Sequence, residues 1–302
     1  MLSLWIPATI AAAFLQNLRS AMQKSLKGRL STAGAAYARF VYAWPFAVVY
    51  LVVLLGWTGE ALPVASPMFW VYCATGAVSQ ILFTVVLLWM FSFQSFAVGT
   101  TFSKLEVVLI AVLGAVLLGD TVGPLAVVAI VLGALGAVAL SMTETKLSPG
   151  ALIRGLGQRV TLIGLLCAML LGLSSVSYRG AALALEGTNV FVSAAFALAV
   201  ALVMQTVMMG AWFVVFDRAE LANVGRQWRR AGPVGLVGMA CSVCWFTAFA
   251  VQNAAYVRAL GQVELLFAVA FSVMIFRERI TRVELVGVGL IASAVVLITL
   301  SA

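Results

Sequence analysis

Two carboxylates lie deep inside apolar segments of this chain. Glu106 precedes one long apolar run and Glu264 precedes another, and the two residues are 158 positions apart. An ionisable side chain inside a membrane is costly, so such a residue is read first as part of a functional site. The alternative is that each carboxylate only forms an ion pair with a neighbouring helix.

The first of these stretches also carries a cation, Lys104, and a hydroxyl, Ser103. Lys104 and Glu106 are two residues apart, so on a helix they point to different sides and do not pair. At roughly 1.5 Å per residue, Lys104 lies about 12 Å inside a span that begins near residue 96, too deep for easy snorkelling. We expect the cation to meet a substrate carboxylate, and the anion to meet a substrate ammonium or a coupling proton.

Neutral polar and aromatic residues lie at mid-depth in other predicted spans. Asn and Gln inside lipid need a partner, so they face protein or water. Hydrogen bonding between helices is the alternative role, whereas the aromatic rings could line a pocket for an apolar or aromatic ligand. The predicted substrate-binding residues are Gln16, Asn17, Gln80, Phe83, Ser103, Lys104, Glu106, Trp245, Phe249, Asn253 and Glu264.

Composition shows what surrounds these residues. Of the 302 residues, 64% are hydrophobic and 9% charged, whereas soluble domains are about 25% charged. The fold class is therefore an all-α integral membrane protein, whose spans need about 20 apolar residues each. We predict ten transmembrane helices, at approximately 4–23, 34–56, 68–90, 96–118, 123–142, 160–180, 189–216, 233–253, 256–276 and 283–301.

Basic residues are distributed unevenly between the two sides of these ten spans. The more basic side carries Lys24, Lys27, Arg29, Lys146, Arg154, Arg159, Arg218, Arg226, Arg229, Arg230, Arg277, Arg279 and Arg282. The other side carries Arg179 and Arg258, and Arg39 in span two is expected to snorkel. The positive-inside rule makes the basic side cytoplasmic. Both termini are then periplasmic in a bacterial inner membrane, and the net charge of +8 reflects topology rather than nucleic-acid binding.

The longest link between spans divides the chain near its middle. We expect a first five-helix repeat over 1–145, a cytoplasmic linker over 146–158 and a second five-helix repeat over 159–302. Because five is odd, the halves enter the membrane in opposite senses, which makes them an inverted-topology repeat. Many secondary transporters are built in this way and bind substrate near the bilayer midplane.

Several chemistries lack the residues they need. The chain has no histidine and no GxxxxGK[ST] motif, so a zinc protease site and ATP hydrolysis are not expected. Cys241 and Cys244 have CxxC spacing but no second pair, so we interpret them as buried hydrophobes. We expect no metal, no cofactor and no enzymatic activity. The expected partners are a small-molecule substrate, the lipid bilayer and a coupling proton.

Ten spans, the inverted repeat and the paired carboxylates resemble the EamA-type branch of the drug/metabolite transporter superfamily. Local agreement includes Lys24, Arg39, Asp120 and the stretch from Glu278 to Gly289. Within that branch the sequence is most similar to the YddG-type exporters of aromatic amino acids. The resemblance implies a central cavity lined by spans one, three, four, six, eight and nine, and rocking of the two halves for alternating access.

The functional hypothesis is therefore a secondary-active exporter of amino acids, aromatic or otherwise apolar, or of related metabolites. An exporter of another drug or metabolite class is the first alternative. A membrane-embedded enzyme acting on lipids would need a clustered nucleophile, base or metal set. A channel or a purely structural protein is less compatible with charges at mid-membrane depth.

Overall fold

The computed structural model describes residues 4–24, 26, 29–90, 96–144, 148–155, 158–185, 187–276 and 281–301. In these ranges the regular elements are fifteen helices. They are α1 (Trp5–Lys24), α2 (Thr32–Val41), α3 (Trp44–Thr58), α4 (Pro67–Met90), α5 (Phe96–Ser103), α6 (Glu106–Leu118), α7 (Pro124–Glu144), α8 (Pro149–Gly155), α9 (Arg159–Leu183), α10 (Val190–Phe216), α11 (Arg218–Arg226), α12 (Trp228–Val251), α13 (Ala254–Gly261), α14 (Val263–Phe276) and α15 (Arg282–Leu300). Glu278, which follows Asp120 by the same 158 positions, lies outside the described residues.

Eight helical stretches in the described ranges are long and apolar enough to cross a membrane. They are Thr32–Thr58, Pro67–Leu87, Thr101–Leu118, Pro124–Thr143, Arg159–Leu183, Val190–Phe216, Trp228–Val251 and Arg282–Leu300. These correspond to eight of the ten predicted spans, which supports a multi-pass membrane protein. The count of ten stays a prediction, because the segments predicted as spans one and nine are not among these eight stretches.

The two remaining segments are also helical in the described residues. Helix α1 is 20 residues long, but Gln16, Asn17 and Arg19 lower its hydropathy. The segment predicted as span nine is divided into α13 and α14, of 8 and 14 residues. Neither piece alone reaches the length of about 20 residues that a bilayer span needs, and the same holds for α5 and α6 of the predicted span four.

Two predicted spans are interrupted at matching positions. Helix α5 ends at Ser103 and α6 begins at Glu106, whereas α13 ends at Gly261 and α14 begins at Val263. At the first break the Lys104 N–H donates to the Thr101 carbonyl at 3.2 Å, and at the second the Gln262 N–H donates to the Ala259 carbonyl at 3.4 Å. Both bonds join residues three apart, as in a 3₁₀ turn, and Lys104 and Gln262 are 158 positions apart.

The described residues form two compact units. Unit 1 contains Ser3–Ile81 and Ser177–Val251, and unit 2 contains Leu82–Val176 and Gln252–Ala302. Each unit therefore draws on both halves of the chain, and α4 and α9 contribute residues to both units. This division reflects spatial proximity, so the boundaries of the predicted sequence repeats stay a prediction.

In unit 1, α4 and α9 approach each other through two reciprocal tyrosine–glycine contacts. A Cβ atom at Gly76 would lie 2.6 Å from Tyr178 Cε1, and one at Gly180 would lie 2.8 Å from Tyr72 Cε1. Each ring therefore occupies the space left by the missing side chain on the facing helix. Such use of small residues is typical of helix packing in membranes.

The short helix α11 is fastened to the start of α2 within the same unit. The Ser31 N–H donates to Glu220 Oε1 at 2.6 Å, and Asn223 Nδ2 donates to the Arg29 carbonyl at 2.7 Å. The Tyr42 hydroxyl donates to the Val224 carbonyl at 2.8 Å. These bonds fix both ends of α2, the helix that carries Arg39.

In unit 2, α7 and α15 pack along a seam of small residues. A Cβ atom at Gly136 would lie 2.7 Å from Ile291 Cγ1 and 2.9 Å from the Gly287 carbonyl oxygen. A Cβ atom at Gly133 would lie 3.4 Å from that of Ala294. Positions 133 and 291 are 158 apart, as are positions 136 and 294. The contacts 133–294 and 136–291 are therefore equivalent, with the two helices exchanged. This is the self-complementary form of a two-fold interface.

Candidate functional site

The predicted site residues fall into two groups, one in each compact unit. Unit 1 contains Gln16, Asn17, Gln80, Trp245 and Phe249, and unit 2 contains Phe83, Ser103, Lys104, Glu106, Asn253 and Glu264. In unit 2 the two breaks place Glu106 first in α6 and Glu264 second in α14. A carboxylate in the first turn of a helix is stabilised by the helix dipole and its unpaired N–H groups.

Glu106 forms an ion pair with Arg258 of α13. The side chains are 10% exposed for Arg258 and 15% for Glu106. Each charge compensates the desolvation of the other, so removal of either would leave a buried charge without its counterion. The sequence interpretation placed Arg258 at an outer helix end and so missed this partner, although pairing of the carboxylate with a neighbouring helix was the stated alternative.

Lys104 lies at the break itself and is half-buried, as are Ser103 and Glu264. In the described residues no ion pair joins Lys104 to Glu106, which agrees with their predicted separation. Lys104 therefore remains a candidate for contact with an anionic group, while Glu106 is held by Arg258.

Gln262 at the second break was not among the predicted site residues. It is 7% exposed, and its Oε1 atom is buried with no hydrogen-bond donor among the described residues. The side chain lies against Gly133, where a Cβ atom would overlap Oε1. Its position 158 residues after Lys104 could have identified it from the repeat alone.

Asn253 acts as the N-cap of α13. Its Oδ1 accepts from the Ala255 N–H at 2.8 Å, and its Nδ2 donates to the Thr121 carbonyl at 3.4 Å. Asn at this position is a common helix cap, so these bonds account for both polar atoms of the side chain. Phe83, also in unit 2, is half-buried.

In unit 1 three predicted residues are brought together on α1 and α12. Trp245 Nε1 donates to Gln16 Oε1 at 3.1 Å, and the ring of Trp245 stacks on Phe249 with centroids 5.7 Å apart. The Phe249 carbonyl in turn accepts from Arg179 Nη1 at 2.8 Å. Trp245 and Phe249 are 7% and 5% exposed, so their faces are covered within the unit.

A second polar group in unit 1 joins α4, α9 and α10. Gln80 Oε1 accepts from the Tyr178 hydroxyl at 3.2 Å and from Gln205 Nε2 at 2.5 Å, and Gln205 Nε2 also lies 3.0 Å from the Tyr178 oxygen. Of the three, only Gln80 was predicted. Gln205 could have been found by the rule applied to Gln80, because it is a glutamine in the middle of an apolar span.

A cleft of about 510 Å³ lies elsewhere in unit 1. Its lining is apolar apart from Arg229 and comprises Tyr42, Pro45, Phe46, Trp228, Arg229, Gly232, Pro233 and Leu236. It contains none of the predicted site residues, and its volume alone does not make it the functional site.

Comparisons with known proteins agree with this architecture. Residues 159–300 match the model of the EamA-like transporter family, which covers slightly less than half of the chain. A solved structure described as "Crystal structure of protein" has a TM-score of 0.71 at 17% identity, and the alignment covers 99% of this chain and 98% of that one. At this identity the likeness shows a shared fold. No curated protein sequence matches the chain.

Proposed function

We propose that this chain is a secondary-active transporter of the drug/metabolite type, with ten spans arranged as a five-plus-five inverted repeat. It exports amino acids or related metabolites across the cytoplasmic membrane by alternating access. The observation that carries the proposal is the pair of helix breaks at Lys104–Leu105 and Gln262. Secondary transporters form their substrate and ion sites from discontinuous helices in equivalent positions of two repeats.

Three further observations support this proposal. The residues that form the backbone bonds at the two breaks are 158 positions apart in the sequence, as the two carboxylates are. The contact between α7 and α15 has the exchange symmetry that two related halves would produce. The match to a transporter family over residues 159–300 corresponds to the proposed second repeat and favours transport over catalysis.

The residues at the breaks are assigned separate roles. Lys104 contacts the anionic group of a solute, and Ser103 beside it contributes a hydroxyl. Glu264 provides the second carboxylate, whereas Glu106 acts through its ion pair with Arg258. A proton on Glu106 would release Arg258, which gives the pair a means of coupling proton binding to a conformational change. Exchange that is unaffected by collapse of a proton gradient would exclude this coupling.

Counterflow in proteoliposomes tests the transport function. Vesicles containing the purified protein are loaded with unlabelled amino acids, and entry of labelled threonine, methionine, phenylalanine or tryptophan is measured. We expect saturable exchange that is lost in Lys104→Ala and Glu106→Gln but kept in Arg229→Ala, which removes an exposed charge. Flux that rises linearly with solute concentration would contradict a carrier. Absence of exchange from folded protein would move the substrate to another metabolite or drug class.

A further inference from the structure

Arg19 is a buried arginine on α1 that the proposed transport site does not use. It is 8% exposed, and its Nε atom is buried with no acceptor among the described residues. Of the described hydrogen bonds and ion pairs, none involves its side chain. A buried guanidinium without a counterion is costly, and inside a membrane-spanning bundle such a residue indicates a functional site.

A second arginine reaches the same place from α2. A Cβ atom at Gly238 of α12 would lie 3.4 Å from Arg19 Cδ and 3.9 Å from Arg39 Cγ. Both arginine stems therefore lie within van der Waals reach of the same point on α12. Among the described residues no carboxylate forms an ion pair with Arg19 or Arg39.

Local contacts stabilise Arg39 but not Arg19. The Arg39 guanidinium lies over the ring of Phe40, 5.1 Å from its centroid, and in the last turn of α2, where a cation is favoured. Arg19 has no ring contact of this kind in the described residues. Because Arg19 is almost fully covered by protein, it is also poorly placed to snorkel to the lipid headgroups.

We propose that Arg19 and Arg39 form a second oxyanion site for the carboxylate of the transported solute, in addition to the anion contact assigned to Lys104. The two arginine stems converge at Gly238. Guanidinium groups that approach each other repel until an anion lies between them, and their planar geometry matches that of a carboxylate. Gln16 lies one turn before Arg19 on α1, and its partner Trp245 lies two turns after Gly238 on α12. The rest of the solute would then be accommodated beside an indole and an amide. This inference rests on the proposed transport function for its ligand.

Binding to the purified protein tests the oxyanion site without requiring transport. The probes are 3-phenylpropionate, which has a carboxylate and no ammonium, 2-phenylethylamine, which has the reverse, and inorganic phosphate. We expect 3-phenylpropionate to bind and 2-phenylethylamine not to bind at this site. Arg19→Gln and Arg39→Gln should each weaken binding of 3-phenylpropionate at least tenfold, with partial recovery in Arg19→Lys. The control is Arg229→Gln, which makes the same charge change at an exposed position of α12.

A thermal melt of the ligand-free protein separates a binding role from a structural one. If Arg19 holds the fold together, Arg19→Gln lowers the melting temperature and the inference is overturned. If Arg19 serves to bind an anion, the same variant removes an unpaired buried charge from the ligand-free protein. The melting temperature is then unchanged or higher. A lipid phosphate is the competing source of the oxyanion. Phosphatidylglycerol in nanodiscs that raises the melting temperature and blocks 3-phenylpropionate would assign the site to the headgroup and overturn the solute assignment.

The two proposals fail in distinguishable ways. Saturable counterflow together with unchanged 3-phenylpropionate binding in Arg19→Gln and Arg39→Gln would refute the oxyanion site and leave the transporter standing. Arginine-dependent binding with no counterflow of any solute would leave the site standing and refute the transport function.

Discussion

The two compact units differ in whether their buried charged side chains are paired. In unit 2 the carboxylate of Glu106 is paired with Arg258, and the charged and amide residues lie at breaks between helices. In unit 1 the polar residues lie on continuous helices, the neutral ones bond to one another, and the cation Arg19 has no counterion among the described residues. A buried charge that is already paired contributes to the fold or to a switch, whereas an unpaired one is available to a ligand.

This difference separates two kinds of experiment. Variants at the ion pair of unit 2 should act first on stability, because each leaves a buried charge uncompensated. Variants at the arginines of unit 1 should act first on solute binding. Stability measurements on variants of both units should therefore reveal the contrast, with the greatest loss at the ion pair.

The largest effect is expected from breaking the ion pair of unit 2. Arg258→Gln should lower the free energy of unfolding by about 3–5 kcal/mol, because Glu106 is left buried without its counterion. Denaturant unfolding of the purified protein in detergent measures it. Arg258→Gln combined with Glu106→Gln should restore part of the loss, since neither charge then remains.

The double variant also measures the coupling free energy between Arg258 and Glu106. If its loss equals the sum of the two single losses, the residues are not coupled and the contrast between the units fails. A coupling of about 1 kcal/mol or more, in the range typical of residues in contact, supports it.

The next largest effect is expected where unit 2 packs backbone against backbone. A Cβ atom at Gly164 would overlap the Gly99 carbonyl, which cannot move without displacing α5. Gly164→Ala should therefore cost about 1–3 kcal/mol of unfolding free energy, as overpacked cores do. Gly289→Ala on α15 is the control, because a Cβ atom there meets no atom within 4 Å. Equal stability of the two variants would show that the close approach of α5 and α9 is not required.

Hydropathy and charge were sufficient to predict most spans but not the helix breaks. Eight predicted spans coincide with apolar helices because each contains a run near the bilayer length. The breaks at Lys104 and Gln262 replace a few backbone bonds by 3₁₀ bonds, which leaves the hydropathy of the segment unchanged. The two carboxylates lie beside the breaks, but the hydropathy of the two segments carried no signal for the change in backbone.

Partners of the polar residues were harder to predict than their positions. Glu106 was selected for its depth, yet its partner Arg258 is 152 residues away and was assigned to a helix end. Gln205 and Arg19 lie on apolar helices like the residues that were selected, but neither was. Which groups meet depends on helix rotation and tilt, and in membranes those are set by packing rather than by hydropathy.

A smaller effect is expected from the neutral network of unit 1. Tyr178→Phe removes the hydroxyl that donates to Gln80 and lies beside Gln205, while the ring keeps its packing on Gly76. The unfolding free energy should fall by about 1 kcal/mol, the usual net value of a hydrogen bond. The control is Tyr50→Phe, whose hydroxyl makes no hydrogen bond among the described residues. If Tyr178→Phe lowered the unfolding free energy as much as Arg258→Gln does, the neutral network of unit 1 and the ion pair of unit 2 would not differ in their contribution to stability.

The smallest effect is expected at the indole of unit 1. Trp245→Phe removes the donor to Gln16 but keeps a ring to stack on Phe249. A hydrogen bond between membrane helices contributes about 0.6 kcal/mol on average, so unfolding should change by about that amount. Trp57→Phe, at an indole that is 85% exposed, is the control. Gln16 lies one turn from Arg19 on α1, and Trp245 lies two turns from Gly238 on α12. Trp245→Phe should therefore reduce the free energy of 3-phenylpropionate binding by more than it reduces the free energy of unfolding. The reverse order would place this bond among the structural contacts and confine the binding role of unit 1 to its two arginines.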